Sequence, residues 1–257
     1  MTTKYIFEQH EGGFFSNFNK VVTFLTHNQP GDIAWRMQGQ PYGAFAYSCG
    51  EVFSNLFKHV IINDDIDKNV QIVKEFEYLQ YTGKNADVLY TENQEWRMLL
   101  NTTYNKFIHP TEKLRNRIKD VDDRFRQIDN VKIGVLKRNQ LLKCEQVSNN
   151  MPTAGVYKRA IENIDAKSKK LYLSVDNYSD LNFFRDSFDC IYSESMRRTS
   201  KDSDTEPHFV PGTTEDAENI FLDVYALSKC DFLVHPISNM ATAALYINPY
   251  LTSIYLR

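Results

Sequence analysis

The apolar positions of this chain switch repeatedly between a period of two and a period near 3.6. Residues 4–8 read as a strand, and the turn Gln9-His10-Glu11-Gly12-Gly13 follows it. Phe14, Phe18, Val21, Val22 and Leu25 then fall at i, i+4, i+7 spacing, which predicts a helix. Strand, glycine turn and helix together open an α/β unit. Ile33-Ala34-Trp35 predicts a second strand, 51–59 a helix with Val52, Leu56 and Phe57 inward, 60–62 a strand, and 70–79 a helix. Residues 92–107 and 111–126 are strongly helical, and Pro110 suits the first turn of the second helix.

The rhythm restarts after Asn130. Strands over 131–136, 170–175, 190–192 and 231–234 alternate with helices over 156–164, 180–187, 215–228 and 238–246. The polar stretch 199–214 has two prolines and no apolar period, so it reads as a loop. Strands alternating with helices in both halves predict an α/β protein of two Rossmann-like domains facing a cleft, 1–129 and 130–257.

Length alone leaves the count open, because 257 residues at ~150 per domain is one large domain or two small ones. The restart at Asn130 favours two. A hydrophobic fraction of 42% with a net charge of −3 excludes a disordered chain. The same charge argues against a general nucleic-acid binder, which needs a basic surface, but leaves room for a small-anion pocket. Cys49, Cys144, Cys190 and Cys230 are far apart, with no CxxC pair. They predict neither a zinc site nor a disulfide framework, and fit reduced thiols in a cytoplasmic protein. No apolar run approaches the ~18 residues of a membrane span, and Met1-Thr2-Thr3-Lys4 lacks a signal-peptide pattern. The strings Asp65-Ile66-Asp67, Asp120-Val121-Asp122 and Asp202-Ser203-Asp204 follow no apolar strand, so no metal-dependent site is expected.

Ligands of open α/β sheets gather at the C-terminal strand edges. The residues to watch are therefore Glu11-Gly12-Gly13, Lys137-Arg138, Asp176-Asn177 and Pro236-Ile237-Ser238-Asn239. Gly12 and Gly13 lack GxGxxG spacing; they serve either a tight turn or close approach to a ligand. Lys137-Arg138 is a surface charge pair or an anion grip, and Arg138 suits bidentate phosphate contacts. Glu145, seven residues on, is a general base if the loop folds back, and otherwise a solvated carboxylate. Asp176 either meets ribose or base, or caps the next turn. Asp223 sits in an apolar helix, where it supports a neighbouring loop or is exposed. Ser238 reads as an N-cap, with free N–H groups at Ser238-Asn239 for a phosphate. Arg197-Arg198 and His208 lie in or beside the polar loop, which either closes over a ligand or is only a loop.

The segment Glu218-Asn219-Ile220-Phe221-Leu222-Asp223-Val224-Tyr225-Ala226-Leu227-Ser228-Lys229-Cys230-Asp231-Phe232-Leu233-Val234-His235-Pro236-Ile237-Ser238-Asn239 resembles the fucosyltransferase-like glycosyltransferases. That group comprises the core α1,6-fucosyltransferases, the bacterial nodulation fucosyltransferase and the protein O-fucosyltransferases. Its pattern is a helix with an Asp, then Leu-Ser-x-x-Asp-Phe-Leu-Val, then a Ser-containing phosphate loop. Residues 170–177 are similar to its strand ending in an acidic pair, 133–138 to its strand ending in His-x-Arg-Arg, and 11–13 to its glycine turn. Here Leu136 stands in place of the family histidine, Asn139 of the second arginine and Asn177 of the second acid.

The resemblance implies the GT-B architecture, with a donor-binding domain over 130–257 and an acceptor-side domain over 1–129. It implies an inverting, metal-independent transfer, with no cofactor, from a nucleotide sugar to a saccharide hydroxyl. A GDP-sugar is favoured, fucose by family precedent, and a UDP-sugar such as UDP-xylose remains open. Arg138 matches the arginine that holds the donor diphosphate. Asp176 matches the first acid near the nucleoside, and Asp223 and Ser238 match donor-site residues. Glu145 lies one position from the family's catalytic carboxylate, and Glu11 is the second candidate base. Gly12, Gly13, Arg197, His208 and Asn239 complete the expected donor contacts. Phe14, Phe15, Trp35 and Tyr42 are candidates to stack on sugar rings, with core packing as the alternative use. A non-catalytic nucleotide-sugar or carbohydrate-binding protein on the same fold is the rival reading. Oligomeric state is not readable from the sequence.

Overall fold

Among the described residues two parallel sheets carry the strands. The structure, a computed structural model, describes residues 3–8, 14–28, 31, 33–38, 49–58, 70–73, 93–138, 152–196, 198 and 213–256. In the first sheet β1 (Thr3–Glu8) lies between β2 (Ile33–Gln38) and β3 (Val70–Val73), paired parallel to both. The second sheet holds β4 (Val131–Lys137), β5 (Lys169–Val175), β6 (Cys190–Tyr192), β7 (Phe232–His235) and β8 (Thr252–Tyr255). Its order is β6-β5-β4-β7-β8, again all parallel. The strands before residue 130 make one sheet and those after it make the other.

The described helices are α1 (Phe14–Asn28), α2 (Cys49–Leu56), α3 (Gln94–Phe107), α4 (Glu112–Arg126), α5 (Ala154–Glu162), α6 (Tyr178–Ser187), α7 (Thr214–Ser228) and α8 (Asn239–Ile247). Side-chain caps fix several of their starts. Asn93 accepts from Glu95 N, and Thr213 with Asp216 closes a capping box on α7.

Three local expectations change. The start of the segment expected as a helix over 70–79 is strand β3; Val70-Gln71-Ile72-Val73 is a short apolar run whose periodicity cannot separate helix from strand, and pairing with β1 decides it. Pro110 is outside α4, because Thr111 is the N-cap; Pro110 instead bridges to Phe57. Strand β8 was not expected, since its short segment earns its place only by pairing with β7. The strand expected over 60–62 lies outside the described residues.

β4 and β5 alternate strictly between two cores. Ile133, Val135, Leu171, Leu173 and Val175 pack with Tyr157 and Ile161 of α5 and Leu181 and Phe184 of α6. Leu136 and Tyr172 face the opposite way, toward Phe221 and Leu227 of α7. That second cluster continues without a break through Phe57 and Tyr104 to Phe18 and Phe7 of the first sheet's layer. Helices on both faces explain why the central strands read as continuous apolar runs. Hydrogen bonds stitch the two parts of the chain as well. Arg97 of α3 donates to Leu251 O at 3.1 Å, and Asn101 to Tyr246 O at 2.8 Å. Glu218 of α7, nearly sealed from solvent, pairs with Lys113 at 2.8 Å and Arg117 at 3.1 Å of α4.

Gly134 shows how tightly α7 lies on β4. A Cβ there would meet Leu227 Cδ2 at 3.0 Å, Leu233 Cδ1 at 3.2 Å and Cys230 Sγ at 3.3 Å. All three neighbours are buried and have little room to swing away. Gly134→Ala is therefore expected to destabilise the fold by about 1–3 kcal/mol. A urea melt checks this; an unchanged midpoint would show that α7 can shift at no cost. Among the described residues no helix is long and apolar enough to cross a membrane.

Candidate functional site

The site forms where β4, β5 and β7 end. Lys137 and Arg138 are neighbours in sequence, but strand alternation sends them to opposite faces. Lys137 points to the α6 side and binds Asp180 at 2.6 Å. Asn177, the N-cap of α6, accepts from Asp180 N at 2.7 Å and donates to its carboxylate at 2.9 Å. Lys137 and Asn177 are thus committed to holding the β5–α6 turn.

Arg138 points the other way. The β4–β5 register pairs Lys137 with Val175, so the next residues, Arg138 and Asp176, stand side by side. Their charges meet at 2.9 Å, with side chains only 11% and 14% exposed. The same Nη1 lies 3.2 Å from Met240 Sδ, which brings Arg138 to the first turn of α8. Tyr157, buried beneath, donates to Leu136 O at 2.9 Å and steadies the end of β4.

The first turn of α8 is ordered from three sides. Ser238 is its N-cap and accepts from Met240 N at 3.2 Å. Asn19, buried in α1, donates to Asn239 O at 3.0 Å and to its side-chain oxygen at 3.2 Å, and accepts from Tyr246 at 3.0 Å. Behind the loop, His235 Nδ1 lies 2.9 Å from Pro236 O. A carbonyl only accepts, so Nδ1 carries the proton. Nε2 is then the acceptor for Ser253 Oγ at 2.8 Å. Burial pushes the His235 imidazole down to about 4, so it is neutral at physiological pH.

Asp223 lies under this edge. It is buried in α7, which overturns the exposed alternative. Its carboxylate accepts from Tyr172 at 2.7 Å and from the Ser174 hydroxyl. Both residues sit at alternate positions of β5, on the face turned to α7. Burial pushes the Asp223 carboxyl up, while the Ser174 and Tyr172 hydrogen bonds and then the Arg198 and Arg138 charges pull it back down.

The structure thus brings together Arg138, Asp176, Ser238 and Asn239, with Asp223 beneath. Glu145, Glu11, Gly12, Gly13, Arg197, His208 and Tyr42 lie outside the described residues. Phe14, Phe15 and Trp35 are buried core residues rather than surface platforms for a sugar ring. Sequence reasoning missed Asn19, Tyr172, Ser174 and the buried Lys20, whose Nζ lies 3.3 Å from Glu8 O at the end of β1. The available signal was polarity at apolar-phase positions: Tyr172 and Ser174 break an otherwise aliphatic strand, and Asn19 and Lys20 break an apolar helix. Among the described residues no group of three or more His, Cys, Asp or Glu is placed to hold a metal ion.

No family model matches the sequence, and no curated protein matches it by sequence. Solved structures do match by shape. The NodZ α-1,6-fucosyltransferase co-crystallised with GDP superposes with a TM-score of 0.56 at 12% identity, over 95% of this chain and 92% of that one. NodZ crystals soaked with GDP-fucose give 0.55, also at 12% identity, over 96% and 93%. POFUT1 in complex with GDP gives 0.53 at 8% identity, over 99% and 98%. A mutant of Arabidopsis thaliana FUT1 in complex with GDP gives 0.52 at 12% identity, over 100% of this chain and 70% of that one. The chain has the GT-B fold of fucosyltransferases. At these identities the likeness to the fucosyltransferases is one of fold. The two Rossmann-like layers expected from the sequence are the two parallel sheets of that fold.

Proposed function

We propose that the chain is a glycosyltransferase that moves a sugar from a nucleotide sugar to a saccharide hydroxyl, with inversion and without a metal ion. The observation that carries this reading is the Arg138–Asp176 pair set against the first turn of α8, at the C-terminal edge of a parallel sheet. Shared fold with enzymes crystallised with GDP and GDP-fucose favours a GDP-sugar, fucose first.

Residues 130–257 supply the donor side in this reading, and residues 1–129 the acceptor side. The leaving diphosphate gathers negative charge as the glycosidic bond breaks. Arg138 and the first-turn N–H groups of α8 stabilise that charge without rearranging. Asp176 orients Arg138, and Asp223 holds β5 beneath it. Glu145 is the first candidate to take the acceptor proton and Glu11 the second. Gly12, Gly13, Arg197 and His208 are assigned to the donor.

A thermal-shift screen of the full chain against GDP, UDP and their sugars tests the reading. A ligand at 100 times its Kd adds about 2.7 kcal/mol by mass action, so the binding nucleotide raises the melting temperature clearly. No shift with any nucleotide overturns the proposal. Glu145→Gln and Glu11→Gln then separate enzyme from binding protein. One of them is expected to remove turnover while nucleotide binding persists; turnover unaffected in both overturns the assignment of the base.

A further inference from the structure

One guanidinium at this edge keeps two donors with no acceptor. Arg198 stands six residues beyond the end of β6. Its Nη1 donates to Ser193 O at 2.9 Å and Met196 O at 3.2 Å. Its Cζ lies 5.3 Å from the centroid of the Tyr192 ring, and Arg185 of α6 lies 5.5 Å from that centroid. The guanidinium is held at one corner by carbonyls and over a ring by cation–π attraction. Nε and Nη2 are shielded from solvent and make no hydrogen bond.

Unpaired buried donors on a charged group are costly, so an arginine held in this way calls for an acceptor. The two atoms form the side edge of the guanidinium. Its parallel N–H bonds match two oxygens of one phosphate or carboxylate. The charges nearby point the same way. Lys137 is matched by Asp180 and Arg138 by Asp176, each within one short ion pair. A diphosphate entering beside these two pairs brings further negative charge, which another cation can meet. Sheet order puts β6 next to β5 and β5 next to β4, so the chain leaves the sheet after β6 and after β4 on either side of the end of β5. The charges of Arg198 and Arg138 also pull the buried Asp223 carboxyl down, in keeping with two cations at one sheet edge.

We propose that the Nε/Nη2 edge of Arg198 binds a ligand oxyanion, and that this anion is a phosphate of the nucleoside diphosphate, with Arg138 as the other cation. This rests on the donor-site reading above and moves the loop's contribution from Arg197 to its neighbour. Arg185, on the other cation–π contact of Tyr192, helps to fix the platform and takes no part in binding.

Calorimetric titration of the full chain with GDP, GMP and guanosine tests it, on wild type, Arg198→Ala and Arg198→Lys. Arg198→Ala is expected to weaken GDP roughly 10–100-fold while guanosine, which has no phosphate, changes less than about twofold. Arg198→Lys is expected to lose most of the same factor, because an ammonium cannot present two parallel donors. GDP affinity equal to wild type in both variants overturns the assignment and leaves the function standing. If alanine does not fold, the lysine variant decides by the same comparison. A wild type that binds none of the three nucleotides and nucleosides overturns both this inference and the reading beneath it.

Discussion

Arg138→Ala is expected to reduce affinity for a nucleoside diphosphate by about 100-fold or more, as losing a buried, hydrogen-bonded charge contact to a ligand costs about 2–5 kcal/mol. Two losses combine. The cation nearest the first turn of α8 disappears, and the Asp176 carboxylate is left without its partner at 2.9 Å. The Asp176 charge, no longer offset by Arg138, then repels the diphosphate. Arg138→Lys keeps the charge but loses the planar fork that meets carboxylate and phosphate together, so an intermediate loss is expected. The double variant Arg138→Ala/Asp176→Asn separates the two effects. It should regain part of the affinity lost in Arg138→Ala, because the repulsion is gone. Calorimetric titration with GDP reads all three, and thermal midpoints measured alongside report folding. Wild-type affinity in Arg138→Ala would show that the diphosphate is held elsewhere.

Asp223→Ala is expected to destabilise the fold by about 2–4 kcal/mol, since two buried hydroxyls lose their acceptor. Among the described residues both hydroxyl protons go to this one carboxylate. Asp223→Asn keeps the shape and removes the titration while turning one acceptor oxygen into a donor amide, a pH-independent offset, so the pH dependence of its difference from wild type reads the carboxyl alone. Burial raises the Asp223 carboxyl above its unfolded value. The folded state therefore holds that proton more tightly than the unfolded state does. The stability this brings is full below the unfolded value and is lost as pH rises through the raised folded value. Relative to Asp223→Asn, wild type should thus lose stability as pH rises through this window, then level off. His235, pushed down to about 4, titrates in an overlapping range, but its contribution is common to both proteins and cancels. Urea melts across this range give the difference directly. The opposite slope would mean that the hydrogen bonds and the Arg198 and Arg138 charges outweigh burial.

The elements were legible where the apolar period was long. In α1, Phe18, Val21, Val22 and Leu25 are all buried as the spacing demands. Short segments were not: Val70–Val73 carries too few residues to show a period, and only its pairing with β1 makes it a strand. The candidate site shows the same division. Arg138, Asp176, Ser238 and Asn239 could be singled out as candidates because strand ends can be located from sequence, and ligand edges follow from strand ends. The different roles of Lys137 and Arg138 were implicit in alternation, yet they needed the position of α6 and α8 to become definite. Asp223 was visible as an acid among apolar residues, but not its partners. Tyr172 and Ser174 lie about fifty positions earlier in the chain and meet it only through the packing of α7 on β5.

By itself the sequence determined the long helices and central strands, the division of strands near Asn130 and the stretches that end at a sheet edge, but not short strands such as β3 and β8. These are local properties, because the period of apolar residues is read within one element. Only the tertiary structure decided which charges are already matched. Lys137 with Asp180, Arg138 with Asp176, and the unpaired edge of Arg198 depend on strand order and on a register that puts Lys137 beside Val175. A one-residue slip would turn every side chain of β4 to the other face and exchange the roles of Lys137 and Arg138.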